Sequence, residues 1–521
     1  KPDMNIGTIS DYDCTSEYPS ACERLGLECG GFLKGAPQII KDADQFERMK
    51  DCITTELTRR PVLIYGEDFK NKTQVVDVNE EVLRTNWDGY FVEVKIKNVR
   101  KPRYMPLESF KDSKTNIRNF TNDLEYEHSG KTLFLNRFSF EDLVKYQDVE
   151  YEFVRGYYFN YGRNDSITKA IRTLFDERNV YKKVVYYFTE DFEVITRYDN
   201  KQLALNDFNQ KHNTIYTELE EVILENNEKL LMKDPKEACF KLIMNIIYGR
   251  SSMKAPETET SYISMWNNET GEEDWSKVNN FYEYNYNHIQ SFTEIDDGKL
   301  MKFKKTKELN NHFNRVHIAS EILGMSKRIM NEVITTAEDL NIPIFITDTD
   351  SLHLPTNRIP ALEAEYDNRY GDMRKQIYGR TLGLNGKDLG QFHTDFEMNG
   401  CRNVEAVEAV FLWKKSYWDK LRGIDNKSGE LKYDNHTRMK GIPSVLIKEP
   451  EKIFKAHYDL TNENINQELK VFDLKDGGKK VKFKNMDNNT TKTLVKFERS
   501  INFERIPIGI LTDLPKKQYI L

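Results

Sequence analysis

Residues 344 to 354 read Ile-Phe-Ile-Thr-Asp-Thr-Asp-Ser-Leu-His-Leu, an apolar strand interrupted at its middle by Asp348 and Asp350. Asp is disfavoured in strands, and two carboxylates at i and i+2 point to one face and repel unless something cationic offsets them. A divalent metal is the usual partner. Mg²⁺ takes a few carboxylates and completes its shell with phosphate oxygens and water, so hard oxygen ligands at the tip of a β-hairpin suit phosphoryl chemistry. The competing account of the same residues is a tight acidic turn.

A chain of 521 residues is too long for one hydrophobic core, since cores stop growing near about 250 to 300 residues, and two to four structural units are expected. Apolar residues at 38%, charged residues at 31% and only 15 prolines describe a globular chain rather than a disordered or fibrous one. No apolar run approaches the roughly 20 residues that cross a bilayer, and the opening KPDMNIGTIS lacks the apolar core of a signal peptide. The expectation is a cytoplasmic protein with no membrane partner, in the host cytoplasm if the source is viral. Six scattered cysteines without a CxxC pair indicate neither a zinc cluster nor a disulfide framework.

The net charge of −7 argues against a nucleic-acid partner, but its distribution matters more than its sum. Residues 411 to 521 hold 23 Lys and Arg against 15 Asp and Glu, while residues 1 to 410 hold 54 against 69. A basic end on an acidic body permits local phosphate contact; a solvated charged surface explains it equally.

No repeat of fixed period and no Gly/Ser- or Pro-rich linker divides the chain, so interleaved domains are expected. Residues 4 to 13, MNIGTISDYD, predict a strand ending in acidic residues, followed by the turn-forming YPS and a helix start at ACERLG. PVLIYG (61 to 66), YFVEVKIKNV (90 to 99), KTLFLNRF (131 to 138) and YEFVRGYYF (151 to 159) alternate or carry aromatics and predict strands. Helical periodicity follows over 166 to 183 and 221 to 249, the second helix interrupted or kinked near Pro235. Residues 252 to 312 are polar and aromatic, with an IDDGK turn at 295 to 299, and suggest an inserted subdomain. A helix over 317 to 340 is expected to end at Asn341-Ile342-Pro343, and short strands and turns to follow residue 411.

Two further segments carry candidate chemistry. In Asp13-Cys14-Thr15-Ser16-Glu17-Tyr18-Pro19-Ser20 a strand-end carboxylate precedes by five residues a Tyr fixed ahead of Pro; an N-cap Asp and a surface Tyr would look the same. In Lys241-Leu-Ile-Met-Asn245-Ile-Ile-Tyr248-Gly249 the residues Lys241, Asn245 and Tyr248 fall at i, i+4 and i+7. One helical stripe would present a cation, an amide and an aromatic face, along which a phosphate and a base could lie.

The three segments together resemble the family B DNA polymerases, in the order expected of them. DCTSEYPS resembles motif A (DxxSLYPS), KLIMNIIYG motif B (KxxxNSxYG) and TDTDS motif C (YxDTDS). Lys415-Ser416-Tyr417 resembles the KxY motif near the primer terminus, and Arg178 with Lys182 the RxxxK pair that grips the incoming triphosphate. FSFEDLVKYQDVEYEFVRGYYF is similar to the segment before the fingers in protein-primed members from phages and linear plasmids. Glu17 stands where Leu is usual, Ile246 where Ser is usual, and Thr347 where Gly or Cys is common.

What the resemblance implies is an α+β right-hand polymerase with an antiparallel palm sheet. Its parts would be palm over 1–30 and 313–432, a β-rich insertion over 31–165, fingers over 166–251, a second insertion over 252–312 and thumb over 433–521. Asp13, Asp348 and Asp350 would be catalytic and, with the Cys14 carbonyl, hold two Mg²⁺ ions, with Mn²⁺ as a substitute. Tyr18, Arg178, Lys182, Lys241, Asn245 and Tyr248 would bind the incoming dNTP, with Tyr18 packing under the sugar, and Lys415 and Tyr417 would contact the primer end of primer-template DNA. The family's exonuclease domain has no place before motif A in this sequence, so a fragment, or a separate exonuclease-bearing polypeptide as partner, is expected. The two insertions lie where protein-primed members carry theirs, which implies a terminal protein as a further partner and a role in phage or mobile-element replication; lineage-specific elaboration explains them as well. The alternatives in function are a non-catalytic DNA-binding subunit with a polymerase-like scaffold, and an RNA-templated polymerase.

Overall fold

The strand β1, Ile9–Cys14, shows how alternation sets the architecture. Tyr12 and Cys14 point into a buried helical layer, while Asp11 and Asp13 share the opposite face. In this computed structural model the described residues are 7–53, 64–65, 72–74, 87–111, 118–188, 194–217, 219, 222, 231–253, 258–267, 270–295, 299–307, 315–413, 415–440, 447–459, 472–473, 481–487, 490–497, 504–505 and 518–520.

β1 lies inside a mixed set of helices and strands, in an eight-stranded sheet among the described residues. The strands that matter for the site are numbered in chain order: β2 (Ile346–Asp348), β3 (Ser351–Pro355), β4 (Phe392–Thr394), β5 (Cys401–Trp413), β6 (Ser416–Asp425) and β7 (Leu431–Met439). The sheet runs β2-β3-β1-β5-β6-β7, with β4 also paired to β1 and Gln518–Ile520 to β5. Every pairing is antiparallel.

Five helices bear on the site. They are α1 (Glu17–Cys29), α2 (Ser166–Tyr181), α3 (Pro235–Ser252), α4 (Val316–Asp339) and α5 (Ile359–Tyr378). Tyr12 stacks on Phe392 and donates its hydroxyl to Glu363 on α5 at 2.9 Å. Arg24 on α1 grips Glu332 on α4 with two nitrogens at 2.9 and 2.7 Å, and the Tyr366 hydroxyl of α5 donates to the same carboxylate at 3.0 Å. This bidentate charge-assisted pair ties three helices where water is excluded.

Two compact units emerge: residues Lys1–Met244 with Gly324–Leu521, and Asn245–Leu323. The second contains the insertion expected at 252–312. It is a three-stranded sheet, Thr258–Ser264, Leu300–Thr306 and Ile289–Ile295, closed by the helix Ser276–Asn285 over Met265, Val278, Met301 and Phe303. In the first unit the described residues between 31 and 165 form a four-stranded sheet in the order Gln38–Ile40, Val149–Phe159, Gly89–Val99, Leu133–Asn136.

Several expectations need correction. The strand expected through residue 138 stops at Asn136, whose side chain accepts the Ser139 N–H at 3.0 Å and caps a helix from Arg137. Pro235 does not kink a long helix: α3 begins at it, after a strand Leu231–Lys233, because a ring without an N–H fits the first helical turn. The first helix starts at Glu17, four residues before ACERLG, since Ser16 turns left-handed at φ 51° and Pro19 is tolerated in the first turn. A helix, Pro450–Asp459, breaks the run of strands expected after residue 411. The helix over 317 to 340 does end as expected, with Asn341 at φ 53°. Residues 4 to 6, 61 to 63, 223 to 230, 296 to 298 and much of the thumb expected at 433–521 lie outside the described residues.

Candidate active site

β1 and the β2–β3 hairpin bring together acids that the sequence separates by more than half the chain. β3 pairs with β1 so that Asp13 faces Ser351, and the same Ser351 faces Asp348 across the hairpin. The Cys14 N–H donates to the Asp350 carbonyl at 2.9 Å. Asp348 and Asp350 do not share one strand face, as their i, i+2 spacing suggests. The chain reverses between them, with Thr349 left-handed at φ 68° and the Asp350 N–H donating to the Asp348 carbonyl at 2.9 Å.

Electrostatics single the cluster out. Burial, and then the carboxylates of Asp350, Asp395, Asp11 and Glu17, push Asp13 up to about 8. Burial also raises Asp350; Asp348 and Asp11 add to that, and Lys415 opposes it. Glu17 is pushed up to about 7 by burial, with Asp350 adding and a hydrogen bond from Ser326 opposing. Burial first, and neighbouring carboxylates second, hold these acids above their ordinary range.

Asp348 is partnered differently. Its carboxylate is paired with the Lys415 ammonium and accepts the Tyr417 hydroxyl at 3.3 Å. Lys415 occupies the left-handed region at φ 57°, at the β5–β6 turn, and also reaches the Thr349 hydroxyl at 3.3 Å. Two hairpin turns, each with a left-handed residue, therefore meet through their side chains.

Cations stand on the other flank. Arg178 on α2 donates to Glu237 of α3 at 2.7 Å and to the Ser16 hydroxyl at 3.5 Å, which sets it beside the turn that follows Asp13. Lys182 is pulled below its ordinary value by burial and then by Arg178 and Lys387. Tyr18 is half-buried in the first turn of α1. Lys241 and Asn245 are exposed on α3 and Tyr248 is half-buried there; Asn245 and Tyr248 belong to the second unit.

Sequence reasoning missed several neighbours. Asp11 repeats Asp13 on the same strand face, a signal present in the D-Y-D alternation. His393 lies opposite Asp13 in the β4 pairing, its Nδ1 3.2 Å from the Thr15 hydroxyl and its Nε2 3.7 Å from Asp395. Lys387 and Asp395 flank β4 in a segment without a recognisable motif.

Carboxylates and a backbone carbonyl are the donors a hard divalent cation takes. The Cys14 thiol, pushed up by burial, does not belong to that set. Asp13 and Asp350 fit such a cation, since burial raises both and Asp350 adds to the rise at Asp13. The side chains are not arranged as a ready cage: among the described residues no group of three or more His, Cys, Asp and Glu could hold a metal ion. The oxygens of Asp348 face Lys415 and Tyr417.

No protein-family model and no curated protein matches the chain. Solved structures that do match include Phi29 DNA polymerase complexed with primer-template DNA and incoming nucleotide substrates, at 12% identity and TM-score 0.45 over 91% of this chain and 55% of that one. The orthorhombic form of Phi29 DNA polymerase matches at 13% identity and TM-score 0.41, over 88% and 53%. The same polymerase complexed with single-stranded DNA matches at 13% and 0.41, over 89% and 55%. The chain thus spans about half the length of the proteins it matches. Among the described residues, no helix is long and apolar enough to cross a membrane.

Proposed function

We propose that the chain is a template-directed DNA polymerase of right-hand architecture, adding deoxynucleotides to a primer 3′-OH. The observation that carries this is the meeting of Asp13 with the Asp348/Asp350 hairpin at neighbouring strand ends, where Asp350 adds to the rise of Asp13. The segments that supply these acids are those that resemble motifs A and C.

Asp13 and Asp350 would hold two Mg²⁺ ions, Asp348 assisting once released from Lys415. When bound, such ions lower the pKa of a primer hydroxyl and neutralise a leaving pyrophosphate. Arg178 and Lys182 would bind the triphosphate, with Lys241, Asn245 and Tyr248 forming the nucleotide-facing stripe of α3. Their cationic contacts would count most as charge develops on the phosphates. Tyr18 would lie under the deoxyribose and exclude a 2′-OH. Lys415 and Tyr417 would orient the primer end. Terminal-protein priming, a separate exonuclease and a viral or mobile-element setting belong to this proposal as its biological context.

The test is extension of a labelled primer on a DNA template by the intact chain, with dNTPs and Mg²⁺. Stepwise products that vanish with EDTA support the proposal; a folded chain that binds the duplex and adds no nucleotide overturns it.

A further inference from the structure

Below the acidic cluster lies a residue that the proposed chemistry does not use. His353 on β3 is fully buried. Its Nδ1 is 3.5 Å from Asp11 Oδ1 on β1 and its Nε2 3.5 Å from Asp419 Oδ2 on β6. Neither nitrogen has a hydrogen-bond partner, and Asp11 Oδ1 and Asp419 Oδ1 are equally unpartnered, while Asp419 Oδ2 also faces His436 Nδ1 at 3.0 Å, so the His353 contacts are ion-pair separations.

The groups that face this imidazole come from every element around it. β1 contributes Asp11, β6 contributes Asp419 and Tyr417, and β7 contributes His436, whose Nδ1 lies 3.0 Å from Asp419. Asp348 at the end of β2 acts on it electrostatically. Phe396, Phe411 and Tyr417 enclose the ring edge-on at 5.5, 5.4 and 5.2 Å between centroids. Burial disfavours an imidazolium here, but Asp419 and Asp11 outweigh it and raise the ring above its ordinary value.

Buried ion networks cost desolvation and are weak evidence for stability. This one joins the three strands that carry the site. Asp11 lies two residues before Asp13, His353 three after Asp350, and Asp419 two after Tyr417, whose hydroxyl holds Asp348 at 3.3 Å. We propose that His353 is a positioning residue, bridging Asp11 and Asp419 so that β1, β3 and β6 hold Asp13, Asp350 and Tyr417 in mutual register for a divalent cation. The proposal rests on the polymerase reading for its purpose, and on the geometry for its existence.

The experiment measures Mn²⁺ affinity by the paramagnetic signal of the free ion, alongside single-turnover extension, for the intact chain and its His353→Gln and Asp419→Asn variants. Outer partners of metal ligands typically set affinity by about 10- to 100-fold. Each variant is expected to weaken Mn²⁺ binding by roughly tenfold and to lower kcat with the KM for dNTP unchanged, because neither side chain touches nucleotide. His436→Gln, at the partly exposed end of this chain of side chains, moves both readouts in the same direction and serves if the buried substitutions fail to fold. Variants that melt as the parent does and keep its Mn²⁺ affinity and kcat overturn the proposal, as does a loss that tracks only the unfolded fraction. A parent that binds Mn²⁺ but extends no primer defeats the polymerase reading and leaves the affinity test standing.

Discussion

Asp13 shows what a single residue costs and supplies at this site. Its carboxyl is pushed up to about 8 by burial and neighbouring acids, far above the roughly 3.9 of a free Asp. The folded chain therefore binds this proton more tightly than the unfolded chain does. The stabilisation is complete below the unfolded pKa and is lost as pH rises towards 8, so metal-free protein should melt at lower temperature as pH climbs from about 5 to about 8. Asp13→Asn removes the titration, and its melting temperature in EDTA should fall less over the same range; parallel curves for the two proteins would count against the shift. Tyr18→Val is expected to raise ribonucleotide incorporation, read as the ratio of kcat/KM for a ribonucleotide and its deoxy counterpart, and an unchanged ratio would move sugar exclusion to another residue. The Asp348/Asp350 pair stood out in the sequence because carboxylates interrupt an apolar strand, whereas Asp13 drew attention only through the resemblance of its segment to motif A. His353 and Lys387 did neither: a lone His in a strand and a lone Lys in a loop acquire meaning only from partners far away in the chain.

At the scale of elements, the two touching hairpin turns store strain. Thr349 is β-branched and left-handed at φ 68°, a conformation that costs such a residue roughly 1–2 kcal/mol. Thr349→Asn should relieve part of it and raise the melting temperature by a few degrees, on the order of 2–4 °C per kcal/mol for a body this large. It should also slow extension, since the hydroxyl lies within 3.4 Å of Asp348 and 3.3 Å of Lys415; an equally fast, more stable variant would show that the turn is strained for no catalytic reason. The α2–α3 pair offers a second case. Arg178 is held by Glu237 at 2.7 Å, a half-sheltered ion pair of at most about 1 kcal/mol. Glu237→Gln should free Arg178 for phosphate and lower the KM for dNTP by up to about fivefold. Elements with strong alternation, such as Gly89–Val99, were legible from sequence. Those decided by one capping or ring constraint, such as the helix starts at Arg137 and Pro235, were misjudged, because a short apolar run fits either a strand or a helix until its cap is recognised.

For the whole molecule, a net charge of −7 must be reconciled with a polyanionic partner. Association then depends on local cations, and the residues beyond 411 supply the basic excess. Lys479→Glu/Lys480→Glu should weaken primer-template binding and flatten its dependence on salt, by about 0.9 in log–log slope for each phosphate that the variant no longer neutralises. An unchanged slope would assign the basic end to solvation alone. The mixture of helices and strands was readable along the chain, whereas the pairing that sets Asp13 beside the Asp350 hairpin depends on interactions across more than half its length. That pairing is what single-turnover extension with Mg²⁺ examines most directly, comparing the parent with Asp13→Asn and Asp350→Asn at matched folded fraction. The expected outcome is a rate loss in each variant larger than the roughly 100-fold that an outer partner of a metal ligand costs, with melting preserved. Extension at the parental rate by either folded variant would contradict a metal-dependent site built on these acids.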